Sequence, residues 1–384
     1  MHRFIPCLVA ALLVTSGCRT ADPELSKDTL TLCQRAPADA ATLRSAGWAC
    51  WEAKGNTDRV TPLYCFCTAT VLEVEAALCQ GNRAAVATAL EQQVRDTKKL
   101  AAMTEERTKV GLTSMCDSHF MKHAHAKARA ALAHARGDRA QELAARRDAA
   151  TCAEAYDALV NQGYGDYPML SLLDVAYAAI LRNEAAVAAA RLAGNKDARL
   201  AALEHHQRHM AELTEAFEVR MKAGREVPYC GEWFRSEHQR AVAAVAAAKG
   251  DEAACARALA EWRTHAEEYQ EAVEQDHRRS GGILVAQRAD ALRMCLQAKL
   301  AAAKSHKDRK ASADALKDHV DRWAHVVKTT DTRYRRGMVP PLDVLLAQCL
   351  STIARIRCGS PSFAIDEDLD CRLPPGYAQR RSLF

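Results

Sequence analysis

Paired turn signals recur along this Ala-rich chain and constrain its fold more than any other feature. Gly followed by Asp or Asn, once replaced by Lys-Asp, returns about every 56 residues, at 81–82, 137–138, 194–197, 250–251 and 306–308. A second set alternates with it: Gly55, Gly111, Gly163, Gly224, Gly281 and Gly337. Gly adopts the left-handed conformation that ends a helix, and the following Asp or Asn caps the next helix. The pattern predicts an all-α fold, an up-and-down array of long antiparallel helical hairpins.

Apolar residues between the turn signals are spaced three and four apart. One predicted stripe consists of Cys255, Leu259, Trp262, Ala266, Tyr269 and Val273, and another of Ala313, Leu316, Val320, Trp323, Val327 and Tyr334. Such stripes lie on one helical face and pack against a neighbouring helix in a coiled-coil-like seam. Aromatic residues make up only 5% of the chain. Seams between helices are therefore favoured over one wide core.

The amino terminus has the pattern of a secretory signal. Residues 1–17, MHRFIPCLVAALLVTSG, place Arg3 before an apolar run and small residues before Cys18. The run is too short to span a membrane and remain there. The stretch Val-Thr-Ser-Gly-Cys at 14–18 resembles the lipobox of bacterial lipoproteins. This resemblance implies cleavage before Cys18 and its acylation, and the alternative is an ordinary signal cleaved near Gly17.

Acyl chains on Cys18 would attach the protein to a membrane, since each buried methylene contributes about 0.8 kcal/mol. Arg19, rather than Asp, follows the anchor. In a double-membrane bacterium that choice implies the outer membrane, with the protein facing the periplasm or the surface. No second apolar run is expected to reach membrane length.

Four segments follow from these signals. Residues 1–17 are the signal peptide, 18–36 a tether, 37–357 the helical-hairpin repeats, and 358–384 a non-helical tail that contains three prolines. The formal net charge is only +5, and the 26% of charged residues include both signs, well mixed. This composition favours a solvated helical surface and argues against a nucleic-acid partner.

Of 15 cysteines, 13 remain once Cys7 leaves with the signal and Cys18 takes lipid. Export permits disulfides, and a chain this rich in Cys is expected to form several. Their connectivity stays open. The best candidate is Cys358 with Cys371, because both lie in the tail, whose Gly and Pro residues make a short closed loop easy to form. Helix-borne cysteines are equally well explained as small buried residues.

A resemblance to a known family covers residues 332–356, TRYRRGMVPPLDVLLAQCLSTIARI. Its matching positions include Tyr334, Gly337, Asp343, Ala347 and Gln348. The segment resembles the outer-membrane efflux proteins of the TolC type, in which a helix ending in Tyr-x-x-Gly turns and re-enters through an Asp-Val-Leu-x-Ala-Gln helix. A weaker echo is Leu-Asp-Val at 173–175. The resemblance implies the hairpin geometry, and transport does not follow from it.

Other candidate chemistry has a simpler structural interpretation. His119 with His123, and His205 with His209, are spaced for a shared metal, but neither pair carries the His-Glu-x-x-His signature. Solvated histidines account for them. Cys65-Phe66-Cys67 could be a redox or metal motif, but a role for one of its cysteines as a structural disulfide partner is favoured. The alternating aspartates Asp366, Asp368 and Asp370 match a calcium loop only in part, because Cys371 and Tyr377 replace the Gly and the closing Glu.

The sequence contains no Gly-x-Ser-x-Gly, Walker loop or dinucleotide fingerprint, so neither catalysis nor a cofactor is expected. We expect a lipid-anchored, non-enzymatic envelope protein that acts as a helical scaffold or partner-binding component. Its partners would be the membrane, through the lipid, and another envelope protein or a second copy of itself. The alternatives are a divergent TolC-like efflux component and a metal-binding or redox lipoprotein.

Overall fold

The computed structural model describes residues 27–53, 60–166, 171–224, 228–280 and 285–359, and it contains no strand within these ranges. The described residues form twelve helices: α1 Lys27–Ala53, α2 Val60–Cys79, α3 Arg83–Lys109, α4 Met115–Ala135, α5 Arg139–Asp166, α6 Leu172–Leu192, α7 Lys196–Lys222, α8 Pro228–Lys249, α9 Glu252–Ser280, α10 Val285–Ser305, α11 Arg309–Arg335 and α12 Pro341–Gly359.

Long and short helices alternate strictly. The odd-numbered helices have 27 to 29 residues and the even-numbered helices 19 to 22. Consecutive helices pack against each other from α1 to α5 and again from α6 to α10. The predicted all-α array of antiparallel hairpins is confirmed.

The chain divides into two compact units. The terminal unit, in its described part, comprises residues 27–166 and 317–359, and the middle unit comprises residues 171–224, 228–280 and 285–316. The terminal unit thus holds α1 to α5, most of α11, and α12. The middle unit holds α6 to α10.

Every turn from a short helix to a long helix within the described residues uses the same hydrogen bonds. In the first, Gly81 has φ +67° and the Asn82 N–H donates to the Ala77 carbonyl at 2.8 Å. The Asn82 side chain then accepts from the Ala85 N–H at 3.0 Å. This arrangement is a Schellman ending followed at once by an N-cap, as the Gly-Asx signals predict. The other turns share it, with caps at Asp138, Asn195, Asp251 and Asp308.

Two predicted boundaries are wrong. Gly163 is not a turn, because it is buried inside α5, which continues to Asp166. A Gly in a helix costs only about 1 kcal/mol relative to Ala, and the packing of α5 outweighs that cost. The predicted tether is also too long. Helix α1 begins at Lys27 and includes Pro37, since burial of Ala36 before it and of Ala40 after it holds the helix together across the break signal.

The two predicted stripes fare differently. All six residues from Cys255 to Val273 are buried, so the first stripe is confirmed. In α11, Trp323 is buried as predicted, but Ala313 is exposed and Tyr334 is 43% exposed. The buried face instead includes Val326 and the polar Thr330. Leu316, Val320 and Val327 are half-buried, so the second stripe is confirmed only in part. Hydrophobicity alone does not identify Thr330 as a core position.

One described helical stretch, Thr61–Cys79, is long and apolar enough to cross a membrane by length and composition. The expectation that no second apolar run reaches this length is therefore wrong. In the structure 78% of the stretch is buried in the protein. Side chains such as Leu63, Phe66 and Leu72 are almost fully enclosed. Packing inside the terminal unit accounts for the apolar character of α2.

The last helix returns to the first two. Helix α12 packs against α1 and α2, and Arg357, near its end, pairs with Glu75, near the end of α2, at 2.8 Å. At Gly359 an added Cβ would lie 2.6 Å from the Thr29 hydroxyl, close to the start of α1. Helix α12 therefore runs parallel to α2 and antiparallel to α1. Within the terminal unit, the turns before α4 and α12 consequently lie at the same end.

Lys307 provides a test of the turn mechanism, because it is the one described non-Gly residue with positive φ, at 54°. A side chain in this conformation costs roughly 1 to 2 kcal/mol. We expect Lys307→Gly to raise the free energy of unfolding by about 1 kcal/mol, after allowance for the greater freedom of Gly in the unfolded chain. Gly250→Lys, at the equivalent turn, is the matched control and should lower it. Thermal unfolding that gives Lys307→Gly no advantage would contradict the assignment.

Candidate functional site

The efflux-like segment forms a tight turn between α11 and α12. Gly337 has φ +72°, and its N–H donates to the Tyr334 carbonyl at 2.8 Å. Two residues of the re-entering helix, Asp343 and Ala347, are buried, whereas Gln348 is exposed. The predicted helix–Gly–helix geometry is therefore present at these residues.

The same turn occurs elsewhere in the terminal unit. At the α3–α4 turn Gly111 also has φ +72°, and the Leu112 N–H donates to the Arg107 carbonyl at 2.9 Å. The matching bond at the α11–α12 turn joins Met338 to Arg333, also at 2.9 Å. The local geometry is therefore shared by both of these turns. It does not distinguish an efflux hairpin from other hairpins in this chain.

Exposed apolar side chains gather at these two turns. The group that we name the apolar turn end consists of Val110, Leu112, Met115, Tyr334 and Met338, with exposed fractions between 43% and 69%. All five belong to the terminal unit and lie at its same end. Several large exposed apolar residues at one end of a unit favour an interaction surface there more than scattered single residues do.

The α11–α12 part of the apolar turn end is flanked by basic residues. Arg333, Arg335 and Arg336 surround Tyr334 in the sequence, and Arg335 is 76% exposed while it pairs with Asp331 at 2.8 Å. Basic residues in the last turn of a helix also complement its dipole. The local balance of charge is positive, which favours an acidic surface on whatever binds there.

The start of α1 lies at the opposite end of the terminal unit, together with the end of α2. There the buried Cys33 thiol lies close enough to Cys79 for the two to interact. Burial, followed by this contact, raises the pKa of Cys33 to about 12. Leu78, which is 54% exposed, lies beside the pair.

No disulfide joins two cysteines within the described ranges. Cys358 is exposed at the end of α12, but Cys371 lies outside the described residues, so their bridge stays a prediction. Cys18, the proposed lipidation site, also lies outside them. The Cys33–Cys79 contact was not anticipated, because it depends on how α1 and α2 pack.

The interpretation of the two histidine pairs as solvated is wrong for His123, which is buried, whereas His205 is exposed. The His123 ring Nδ1 lies 2.9 Å from the Ala149 carbonyl, and His125 Nδ1 lies 3.2 Å from the Thr97 hydroxyl. Burial lowers the pKa of His119 and of His125, which favours their neutral forms. On α7 the His205 and His209 rings stack on each other with centroids 6.2 Å apart.

Of the remaining candidate site residues, one group lies in the core of the terminal unit and the other lies outside the described residues. Cys65, Phe66 and Cys67 are buried in α2, and the Gln93 amide donates to the Cys67 sulfur at 3.6 Å. Neither cysteine forms a disulfide within the described residues, so the disulfide expected for one of the two is not found there. The aspartates at 366–370 lie outside the described residues.

A buried charge network joins the first three helices. Arg44 on α1 donates two short hydrogen bonds to Glu73 on α2, and its Nε lies 3.4 Å from Asp96 on α3. Burial raises the pKa of Asp96, although Arg44 opposes this effect. Removing one partner from such a network costs roughly 3 to 5 kcal/mol. The network's role is to hold α1, α2 and α3 together.

A cluster that was not predicted from the sequence lies in the middle unit. Glu232 on α8 meets His265 and Glu268 on α9, and one potential ligand atom from each lies within 4.8 Å of the others. A signal existed in the sequence: Glu232 is 18 residues before Gly250 and Glu268 is 17 residues after Asp251. An antiparallel hairpin about that turn brings these two positions opposite each other.

Comparison with known proteins shows that no family model and no curated protein matches this chain.

Proposed function

We propose that this protein is a lipid-anchored, non-enzymatic component of the bacterial envelope that presents the apolar turn end to a partner protein. The observation that carries the proposal is the segregation of the two ends of the terminal unit. Five large exposed apolar side chains lie at one end, against Leu30 and Leu78 at the other end, where α1 begins. The lipobox-like stretch before Cys18 supports the anchor, and Arg19 supports the outer membrane as its location.

The lengths of the segment after Cys18 and of α1 support a location of the apolar turn end away from the membrane that holds the lipid. Lys27 is nine positions after Cys18, and nine residue steps span at most about 32 Å. Helix α1 has 27 residues, which corresponds to about 40 Å. A lipid on Cys18 therefore holds the start of α1 near the membrane and leaves the other end facing a different layer or partner.

The chemistry of the apolar turn end favours one kind of partner. Burying two side chains of the size of Leu112 and Met338 contributes roughly 3 to 6 kcal/mol, and the arginines beside Tyr334 favour acidic groups around an apolar centre. We therefore expect another envelope protein with an apolar patch rimmed by Asp and Glu. The divergent efflux component remains the alternative, since the hairpin turn would serve either role.

The partner proposal is tested by cross-linking in intact cells, followed by capture from detergent-solubilised envelopes. The variant Leu112→Asp with Met338→Asp should lower the yield of cross-linked partner at least tenfold, because a loss of about 1.4 kcal/mol already has that effect. Leu78→Asp is the matched control, an exposed apolar residue at the opposite end, and should capture as much as the wild type.

Equal yields from the double variant and the wild type would contradict the partner proposal. Capture of a second copy of this chain alone would also contradict it, and would make the apolar turn end a self-association surface.

The proposed export can be tested by asking whether Cys33 and Cys79 form a disulfide in cells. If the chain folds in an oxidising compartment, the two thiols should give up two protons and two electrons to a protein disulfide by thiol–disulfide exchange. The buried, high-pKa thiol of the folded state reacts slowly, so the bridge would record where folding took place. We expect peptide mapping, after denaturation in an alkylating reagent, to recover Cys33 linked to Cys79.

Cys349 is the control for this mapping. It is buried, and burial raises its pKa to about 12 without a thiol among the causes. It should be recovered alkylated. Recovery of Cys33 and Cys79 alkylated as well would argue against export.

A further inference from the structure

The Glu232, His265 and Glu268 cluster in the middle unit combines ligands from two packed helices. The His265 Nδ1 lies 3.0 Å from Glu232 Oε2 and 3.1 Å from Glu268 Oε2. Glu232 and His265 are about one quarter exposed, and Glu268 is about half exposed. One imidazole nitrogen thus faces two carboxylate oxygens at a site that solvent can reach.

The second oxygen of Glu232 is held from outside the cluster. Arg235, one turn further along α8, donates to Glu232 Oε1 and also to Glu218 on α7. Glu232 therefore presents Oε2 to His265 with its carboxylate fixed in orientation. Metal ligands are commonly held by such outer contacts, and those contacts matter for affinity.

We propose that Glu232, His265 and Glu268 bind a divalent first-row cation of the Zn²⁺ type. Zn²⁺ binds imidazole nitrogen at about 2.0 to 2.1 Å and carboxylate oxygen at about 2.0 to 2.2 Å. Ligand atoms around one such ion lie roughly 3 Å apart, which is the separation of Nδ1 from each oxygen here. Two carboxylates balance the charge of the ion, and water fills the remaining position.

The donor set selects the class of ion. An imidazole with carboxylates suits zinc and its neighbours, whereas Mg²⁺ and Ca²⁺ prefer sets made of oxygen alone. Without an ion, a single ring N–H is shared between two carboxylates of like charge. A divalent cation would neutralise both at once, and it takes the place of the proton on Nδ1.

The chain supplies a matched control on α7. His209 and Glu212 have the same spacing as His265 and Glu268, and their closest atoms are 3.6 Å apart. This pair belongs to no group of three potential ligands within the described residues. Any zinc that bound simply to a His and a Glu one helical turn apart would bind here as well.

The test is titration of the chelator-treated, full-length protein with Zn²⁺ by calorimetry. All variants keep the same cysteines, so any zinc bound by thiols contributes equally to each of them. Glu268→Gln should lower the affinity of one site per chain at least tenfold, and His265→Gln should lower it further. His209→Gln should bind like the wild type, and an excess of Mg²⁺ should not compete. Circular dichroism checks that each variant remains helical.

Glu268 is the decisive position, because it is half exposed and its replacement by Gln leaves the packing of α9 intact. Zn²⁺ binding that is unchanged in a helical Glu268→Gln variant would overturn the proposal. So would an equal loss in His209→Gln. The site is independent of the proposed partner role, since the cluster and the apolar turn end lie in different units and the two experiments read different quantities.

Discussion

The structure depends on one repeated constraint, the hydrogen-bonded turn that ends one helix and caps the next. A residue with positive φ closes the preceding helix, and an Asp or Asn side chain caps the following helix within a few residues. Because this turn leaves almost no slack, consecutive helices must lie antiparallel and in a fixed register. The pairing of helices and the sorting of their ends follow from that register.

Fixed register also explains why chemistry-bearing residues meet. Arg44 reaches Glu73 and Asp96, Cys33 reaches Cys79, and the middle-unit cluster gathers residues from α8 and α9. The middle-unit cluster lies across the Gly250–Asp251 turn, whereas the other two groups depend on how α1, α2 and α3 pack together. The ion pair of Arg357 with Glu75 likewise joins α12 to α2. Apolar residues at the turns before α4 and α12 then lie at one end of the terminal unit and remain exposed.

Much of the fold could be predicted because turn chemistry and apolar spacing are local. The Gly250–Asp251 turn and the buried Tyr269 follow from a few neighbouring residues. The turn predicted at Gly163 and the tether predicted to include Pro37 are wrong because tertiary packing outweighs local preference. The buried Thr330 was not predicted because a polar residue occupies a core position there. The candidate sites depended on which residues face each other across a hairpin. Spacing along one helix, the signal used for the histidine pairs, does not contain that information.

The central claim is that the two ends of the terminal unit face different surroundings, with the start of α1 at the membrane. It is tested most directly by energy transfer from a fluorescent non-natural residue at 78 or at 112 to acceptors in lipid headgroups, with the mature acylated protein on vesicles. The account predicts strong transfer from residue 78 and weak transfer from residue 112, because the ends are separated by about 30 Å, the length of α2. Equal transfer from both positions, or stronger transfer from residue 112, would contradict it.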